Sequence, residues 1–331
     1  MGRSIKRTIV ILILAAIGGA GWLTYFASTP RDVPQPAREF LVKKGRSLRG
    51  VSGDLTAAGV FKEPWSFFWL GRILGHANDM QAGVYRIPER VTPLRLLEMI
   101  VNGEVTEAQI TFIEGWTFAQ VRAALAQHPH VTQETAGLSD RQILERIRAT
   151  EHHPEGLFFP DTYFFRPGVS DLTLLARAYE TMKAKLDALW LTRAPNLPYR
   201  SPYEALIMAS IVEKETGFAS ERPMIAAVFV NRLRKQMRLQ TDPSVIYGLG
   251  ANFDGNLRKR DLETDTPYNT YTRTGLPPTP IAMPGEAALQ AALRPADSPA
   301  LYFVSKGDGT SKFSHTLEDH NRAVRQYQLG R

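Results

Sequence analysis

The chain has no cysteine in 331 residues. That removes a thiolate nucleophile, a Cys-ligated zinc, an iron–sulfur cluster and any disulfide framework. Gly-rich phosphate-binding motifs are absent. The seven histidines are scattered, and His152-His153 and His315…His320 fit no metal-ligand spacing such as H-E-x-x-H. Neither metal nor cofactor is expected. With 25 Gly and 22 Pro there is no collagen-like or low-complexity character, and at 44% apolar and 10% aromatic residues the chain can bury a proper core. A net charge of +7 is moderately basic and favours anionic partners: nucleic acid, anionic lipid or an acidic polymer.

What is present begins with a long apolar run. Residues 8–26 carry no charge, and a helix of that length at about 1.5 Å per residue crosses a bilayer core of roughly 30 Å. Arg3, Lys6 and Arg7 precede it, and Trp22 and Tyr25 sit near its far end. The positive-inside rule then leaves residues 1–7 in the cytoplasm and exports everything after Ser28. A cleaved signal peptide is the rival reading, since Gly18-Gly19-Ala20 is a small-residue triplet. Apolar character continuing for six residues past it favours an anchor. Either way the bulk of the chain is exported, which argues against nucleic acid as a partner.

A Pro-rich tether occupies 27–38. Segment 39–103 reads as small α+β: a strand at Phe40–Val42, a turn at 43–47, a helix over Leu48–Ala58, the aromatics Trp65, Phe67, Phe68 and Trp69, a strand at Ala82–Ile87 and a helix over Pro93–Val101. Its strand, K-G-x-S-L, helix unit resembles the LysM carbohydrate-binding module; a generic α+β spacer is the alternative. Residues 104–154 read as a linking region, with a strand at Ile110–Ile113, a helix over Phe118–Ala126 and a polar stretch whose second half is helical. From 155 to 331 aromatic-rich loops alternate with long helices (Leu172–Trp190, Tyr203–Thr216, Arg222–Lys235), ending in a hairpin turned at Gly307-Asp308-Gly309 and a last helix.

The informative helix starts at Ser201-Pro202-Tyr203-Glu204, the pattern of a capping box. Its run Ala205–Val212 is apolar on nearly every side, so it is a core helix. It then delivers Glu213-Lys214-Glu215-Thr216 and is expected to stop at a Gly217 C-cap. Glu215 shares a face with Met208, Ile211 and Val212, while Glu213 points about 200° away, towards Leu206 and Ala209. Desolvation and the negative end of the helix dipole would both raise the pKa of Glu215, and a carboxyl kept protonated near neutral pH is what a glycosidic general acid needs. Lys214 and Arg222 would oppose that shift. Pairing of one or both glutamates with nearby arginines is the purely structural alternative.

Eight ordered motifs carry a specific resemblance: Glu155-Gly-Leu-Phe-Phe-Pro-Asp-Thr-Tyr163, Ile211-Val-Glu-Lys-Glu-Thr216, Val228-Phe-Val-Asn-Arg-Leu233, Leu239-Gln-Thr-Asp-Pro243, Val245-Ile-Tyr-Gly248, Tyr268-Asn-Thr-Tyr271, Gly275-Leu-Pro-Pro278 and Leu301-Tyr-Phe-Val304. Together they resemble the YceG-like endolytic murein transglycosylases, essentially along the whole chain. Gln236 (usually Gly), Ser244 (usually Thr), Thr279 (usually Gly) and Met283 (usually Asn) depart from the family pattern.

The resemblance implies an α+β protein: a transmembrane helix, a LysM-like module and a mainly helical, lysozyme-like catalytic domain with short β elements. It also implies a single-pass inner-membrane enzyme with a periplasmic catalytic domain. Such an enzyme is a carbon–oxygen lyase that cuts the MurNAc-β-1,4-GlcNAc bond within peptidoglycan strands, leaves 1,6-anhydroMurNAc ends, ends nascent strand elongation and associates with peptidoglycan synthases. Related acids sit in an E-S or E-T pair, which selects Glu215 as catalyst and Glu213 as support. Gln240, Asp242, Tyr268, Asn269 and Tyr271 have the polar and aromatic character of a sugar cleft, with Asp161 and Tyr163 as further candidates. For each, a turn or core contact is the alternative. A true muramidase would need a second carboxylate about 5–9.5 Å from the first, for which Asp242 and Asp161 are the motif-borne candidates. A non-enzymatic peptidoglycan-binding scaffold is the remaining class.

Overall fold

The computed structural model describes residues 2–43 and 45–330. The chain divides into two compact units, Met1–Gln109 with Phe164–Val169, and Ile110–Tyr163 with Ser170–Arg331.

The first unit opens with α1 (Gly2–Ser28), whose Thr8–Ser28 segment is apolar and exposed enough to cross a membrane. Its last turn is different. Leu23, Phe26 and Ala27 join the unit's core, and the Phe26 ring meets Phe61 at 5.6 Å. Next come β1 (Arg31–Asp32), β2 (Glu39–Val42), α2 (Leu48–Ala57), α3 (Trp65–Ile73), β3 (Gly83–Arg86), β4 (Arg90–Val91) and α4 (Pro93–Asn102). Strand β2 pairs antiparallel with β3, Phe40 opposite Tyr85 and Val42 opposite Gly83; β1 pairs with β4. Leu48, Val51, Leu55, Phe67, Leu97 and Ile100 fill the core against that ladder. Gly83 is required: a Cβ there would lie 2.2 Å from Val105 Cγ1. Ser47 caps α2 and Thr92 caps α4, each accepting a backbone N–H of the first turn, and α4 stops at Gly103 in the left-handed conformation.

Strand β5 (Ala108–Thr111) pairs with β6 (Thr162–Phe165). Between them lie α5 (Phe118–Gln127) and α6 (Asp140–Arg146), each started by a complete capping box (Thr117/Gln120 and Ser139/Gln142). Then follow α7 (Asp171–Leu191), α8 (Pro202–Glu215), α9 (Arg222–Arg234), α10 (Asp242–Leu249), α11 (Lys259–Glu263), α12 (Glu286–Leu293), the hairpin β7 (Tyr302–Ser305) and β8 (Ser311–Ser314), and α13 (Leu317–Val324). Helix α8 is the centre of the second unit, packed against α7, α9, α10 and α12, with every residue from Ala205 to Val212 buried.

Two local expectations are corrected. The capping box of α8 is only half formed: Ser201 accepts Glu204 N, but the Glu204 carboxylate turns to Arg200, accepting its N at 2.6 Å and its Nε at 3.0 Å. Helix α8 also ends without a left-handed glycine. Thr216 is extended (φ −140°, ψ 136°), and Gly217 has no positive φ. The extended exit lets the last side chain, Glu215, open outward. Gln236, where the resemblance led one to expect glycine, takes φ 54°, the left-handed region in which glycine carries no penalty. Ser244 keeps the hydroxyl that matters, donating to Thr241 O at 2.9 Å and pairing with Thr270 Oγ1 at 2.9 Å.

Candidate active site

The two carboxylates at the end of α8 have opposite surroundings. Glu213 is 5% exposed at its side chain and ion-paired: it accepts Arg222 Nη2 at 2.8 Å and Gly285 N at 2.9 Å. Burial raises its pKa, while the Gly285 amide and Arg222 hold it back. Its role in the fold is that of a strut between α8, α9 and the start of α12. The arginine pairing anticipated from the sequence therefore applies to this glutamate.

Glu215 has no such salt bridge among the described residues. It lines a cleft of about 720 Å³ together with Arg232, Gln240, Asp242, Tyr271 and Phe303. Burial pushes its pKa up; the Thr241 hydroxyl, donating to Oε2 at 2.7 Å, opposes this, Asp242 adds to it and Arg232 opposes it. The net effect is upward because desolvation of a carboxylate outweighs one neutral donor and a guanidinium engaged elsewhere. The result is a carboxyl, biased towards its acid form, that opens into a cleft.

Thr241 and Arg232 were not singled out from the sequence, although both lie inside quoted motifs. Thr241 is buried and fixed: its N–H donates to Thr270 Oγ1 at 3.0 Å, and its carbonyl accepts Ser244 Oγ. Arg232 is a buried arginine on α9 that donates through Nε to Leu301 O and through Nη1 to Leu239 O, both at 2.7 Å, and lies 5.3 Å from the Tyr302 ring. The available signal was an arginine within the otherwise apolar stretch Ile225–Val230 and Leu233. Gln240 sits at φ 53°, the strained backbone that functional clefts tend to retain.

The remaining candidates separate cleanly. Asp242 opens on the Glu215 cleft, the one other carboxylate among its described lining residues, and Tyr271 donates its hydroxyl to Asp242 Oδ1. Tyr268 faces a different cavity, edge-on to Tyr247 at 4.9 Å. Asn269 is fully buried; its amide donates to the carbonyls of Asp261, Leu262 and Thr264 and braces that loop. Tyr163 is buried too, with its ring on Phe112 and its hydroxyl on Phe159 O. Asp161, at the start of β6, accepts Thr162 N. The structure gathers neither Asp161, Tyr163 nor Asn269 into the Glu215 cleft. Among the described residues no group of three His, Asp or Glu side chains is placed to hold a metal.

A helical unit whose core helix ends in a half-buried acid, opening on a polar and aromatic cleft, defines the class: an α+β protein whose cleft is built at a carboxyl outside any described ion pair. The chain belongs to the YceG-like family, whose model matches residues 40–326. It is 32% identical to an endolytic murein transglycosylase of Bacillus subtilis over 86% of this chain and 83% of that protein. A Streptococcus pneumoniae protein of the same description is 25% identical over 96% of this chain, which spans 64% of that longer relative. A crystal structure of a yceG-like protein from Listeria monocytogenes superposes with a TM-score of 0.56 at 29% identity, covering 89% of this chain and 98% of that one.

Proposed function

We propose that the protein is an endolytic murein transglycosylase, a carbon–oxygen lyase acting within peptidoglycan strands, with Glu215 as its acid and base. The observation that carries the reading is the contrast at the end of α8: Glu213 is paired and structural, whereas Glu215 is unpaired, raised in pKa and open to the cleft. The names of the relatives supply the substrate class.

In this reading Glu215 protonates the glycosidic oxygen as the bond breaks. As carboxylate it then takes the proton from the muramoyl 6-hydroxyl, which closes on the anomeric carbon of the same sugar. The nucleophile belongs to the substrate, so one carboxyl suffices and the attack is intramolecular. Thr241 holds one Glu215 oxygen, Arg232 favours the carboxylate that forms, and Gln240, Asp242 and Tyr271 contact the sugars. Glu213 supports by fixing α8. Asp161, Tyr163, Asn269 and Tyr268 are assigned away from the bond being cut.

Helix α1 serves as a single-pass inner-membrane anchor with the remainder in the periplasm, supported by the basic residues ahead of its Thr8–Ser28 segment and by that segment's exposed apolar length. The order β2–α2–α3–β3 with β2 against β3 supports reading that module as LysM-like. Peptidoglycan synthases remain the proposed protein partners.

The test is product analysis. Purified glycan incubated with the full chain and examined by mass spectrometry should yield internal cuts ending in 1,6-anhydro-muramoyl groups. Reducing ends would instead mean a hydrolase using Asp242, and intact strands a binding scaffold.

A further inference from the structure

The second unit holds a cavity larger than the Glu215 cleft. It has about 1060 Å³ and lies on the other flank of the same elements: Lys214 lines it where Glu215 lines the cleft, and Pro243 lines it where Asp242 lines the cleft. Its lining includes the rings of Phe118, Tyr247, Phe253 and Tyr268, and two carboxyl residues, Asp140 and Glu155. Asp140 is ion-paired with Arg122. Glu155 opens the 155–163 motif, and the mechanism above leaves it without a task.

Glu155 is 3% exposed. Its Oε1 accepts Phe118 N at 2.9 Å and its Oε2 accepts Tyr247 OH at 3.1 Å. Among the described residues no lysine or arginine pairs with it. Of the charges around the cavity, Arg122 pairs with Asp140 at 3.0 Å and also donates to the carbonyl of Leu138, while Lys214 donates to the backbone carbonyl of Gly115 at 3.3 Å.

We propose that the Glu155 cavity is a second saccharide site, which takes a neutral N-acetylated pyranose of the same glycan strand beside the Glu215 cleft. The proposal rests on the reading of murein as substrate. Three features select this ligand. The volume exceeds that of the cleft and accommodates a sugar ring with its acetamido group. The walls are aromatic, and Tyr247 and Tyr268 meet edge-on at 4.9 Å to form a cornered face on which a pyranose stacks. The polar group of the floor suits a hydroxyl or amide better than an ion. Burial pushes Glu155 up to about 7, so near neutral pH its carboxyl both donates and accepts. A cationic ligand would meet Arg122 and Lys214, and an anionic one would meet Asp140 and Glu155, whereas a neutral ligand meets neither repulsion.

The probe is N,N′,N″-triacetylchitotriose, titrated calorimetrically into the full chain in detergent micelles. Ala119 on α5 and Ala251 beyond α10 are exposed residues that line the cavity from two different segments. Ala119→Trp and Ala251→Trp each fill it without touching Glu155 or Glu215. Each should weaken trisaccharide binding at least about tenfold, roughly 1.4 kcal/mol, with melting temperature unchanged, and should raise KM for murein more than it lowers kcat. Wild-type protein that does not bind the probe, or two folded Trp variants that bind it as wild type does, would overturn the site while leaving murein cleavage standing. Absence of murein cleavage by the wild type would bring down the substrate reading instead, and binding lost in both Trp variants would still report the cavity.

Discussion

Thr241 donates its hydroxyl to Glu215 Oε2 at 2.7 Å. One oxygen of the acid thus faces a fixed donor, and in the neutral carboxyl the proton belongs on Oε1. Ser244 and Thr270 lock the Thr241 backbone, so the bond is built in rather than incidental. A hydrogen bond to a charged group contributes about 1.5–3 kcal/mol, and this one favours the carboxylate. Thr241→Val should lower kcat by about 10- to 100-fold. It should also move the high-pH limb of the kcat/KM profile upward, because losing the donor lifts the Glu215 pKa further. Thr241→Ser should restore most of both. A Val variant with an unmoved limb would remove Thr241 from the mechanism.

The two glutamates of α8 should fail in different ways. Glu215→Gln keeps size and polarity but removes the titrating proton, and loss of general acid–base help costs about 10²–10⁴-fold. Its melting temperature should hold. Glu213→Gln removes the close charge partner of the buried Arg222, leaving it only Glu114 at 3.9 Å, and breaking one side of a buried pair costs about 3–5 kcal/mol. That variant should melt early, with activity falling in step with the folded fraction. Anhydro-muramoyl product and melting temperature measured together separate the two roles; a fully folded, inactive Glu213→Gln would reverse them.

Helical periodicity placed most of the helices within a few residues, because amphipathic spacing and Ser/Thr caps are local signals: Ser47, Thr92, Thr117 and Ser139 each cap where a helix begins. The core helix and its two glutamates were legible for the same reason. Asn269 and Tyr163 were not. A polar or aromatic residue in a motif looks the same in sequence whether it contacts ligand or three loop carbonyls, and only tertiary packing decides. Glu155 was quoted within a motif yet passed over, since its isolation depends on Phe118 and Tyr247, 37 and 92 residues away.

The end of α1 makes a separate prediction. Phe26 is 5% exposed and packs on Phe61, whereas Ile9, Val10, Ile11, Ile13, Leu14 and Ile17 face outward. Removing residues 1–20 should therefore release the chain from membranes without altering its melting temperature. Phe26→Ala in the full chain should cost about 3–5 kcal/mol, as for a large buried aromatic. Membrane sedimentation and thermal melts of both forms check this; equal melts for Phe26→Ala and wild type would show that the contact does not contribute.

Glu155 sets a pH dependence of stability whose sign follows from its burial. Its carboxyl has a pKa of about 7 in the fold against 4.5 when free. Between those values the unfolded chain has already released the proton that the folded chain still holds. Stability is therefore greatest at and below about pH 4.5 as far as this group is concerned, falls as pH rises, and levels off above about pH 7. The span corresponds to about 3 kcal/mol at 1.36 kcal/mol per unit. Glu155→Gln cannot ionise, yet its amide oxygen still accepts Phe118 N and its NH2 can donate to the Tyr247 oxygen. The variant should match wild type at pH 4.5 and exceed it by up to about 3 kcal/mol at pH 8. Full-chain thermal melts at the two pH values measure the difference. A Gln variant less stable than wild type at pH 8 would mean that the ionised carboxylate is welcome in that cavity, and that a cationic group rather than a neutral sugar completes it.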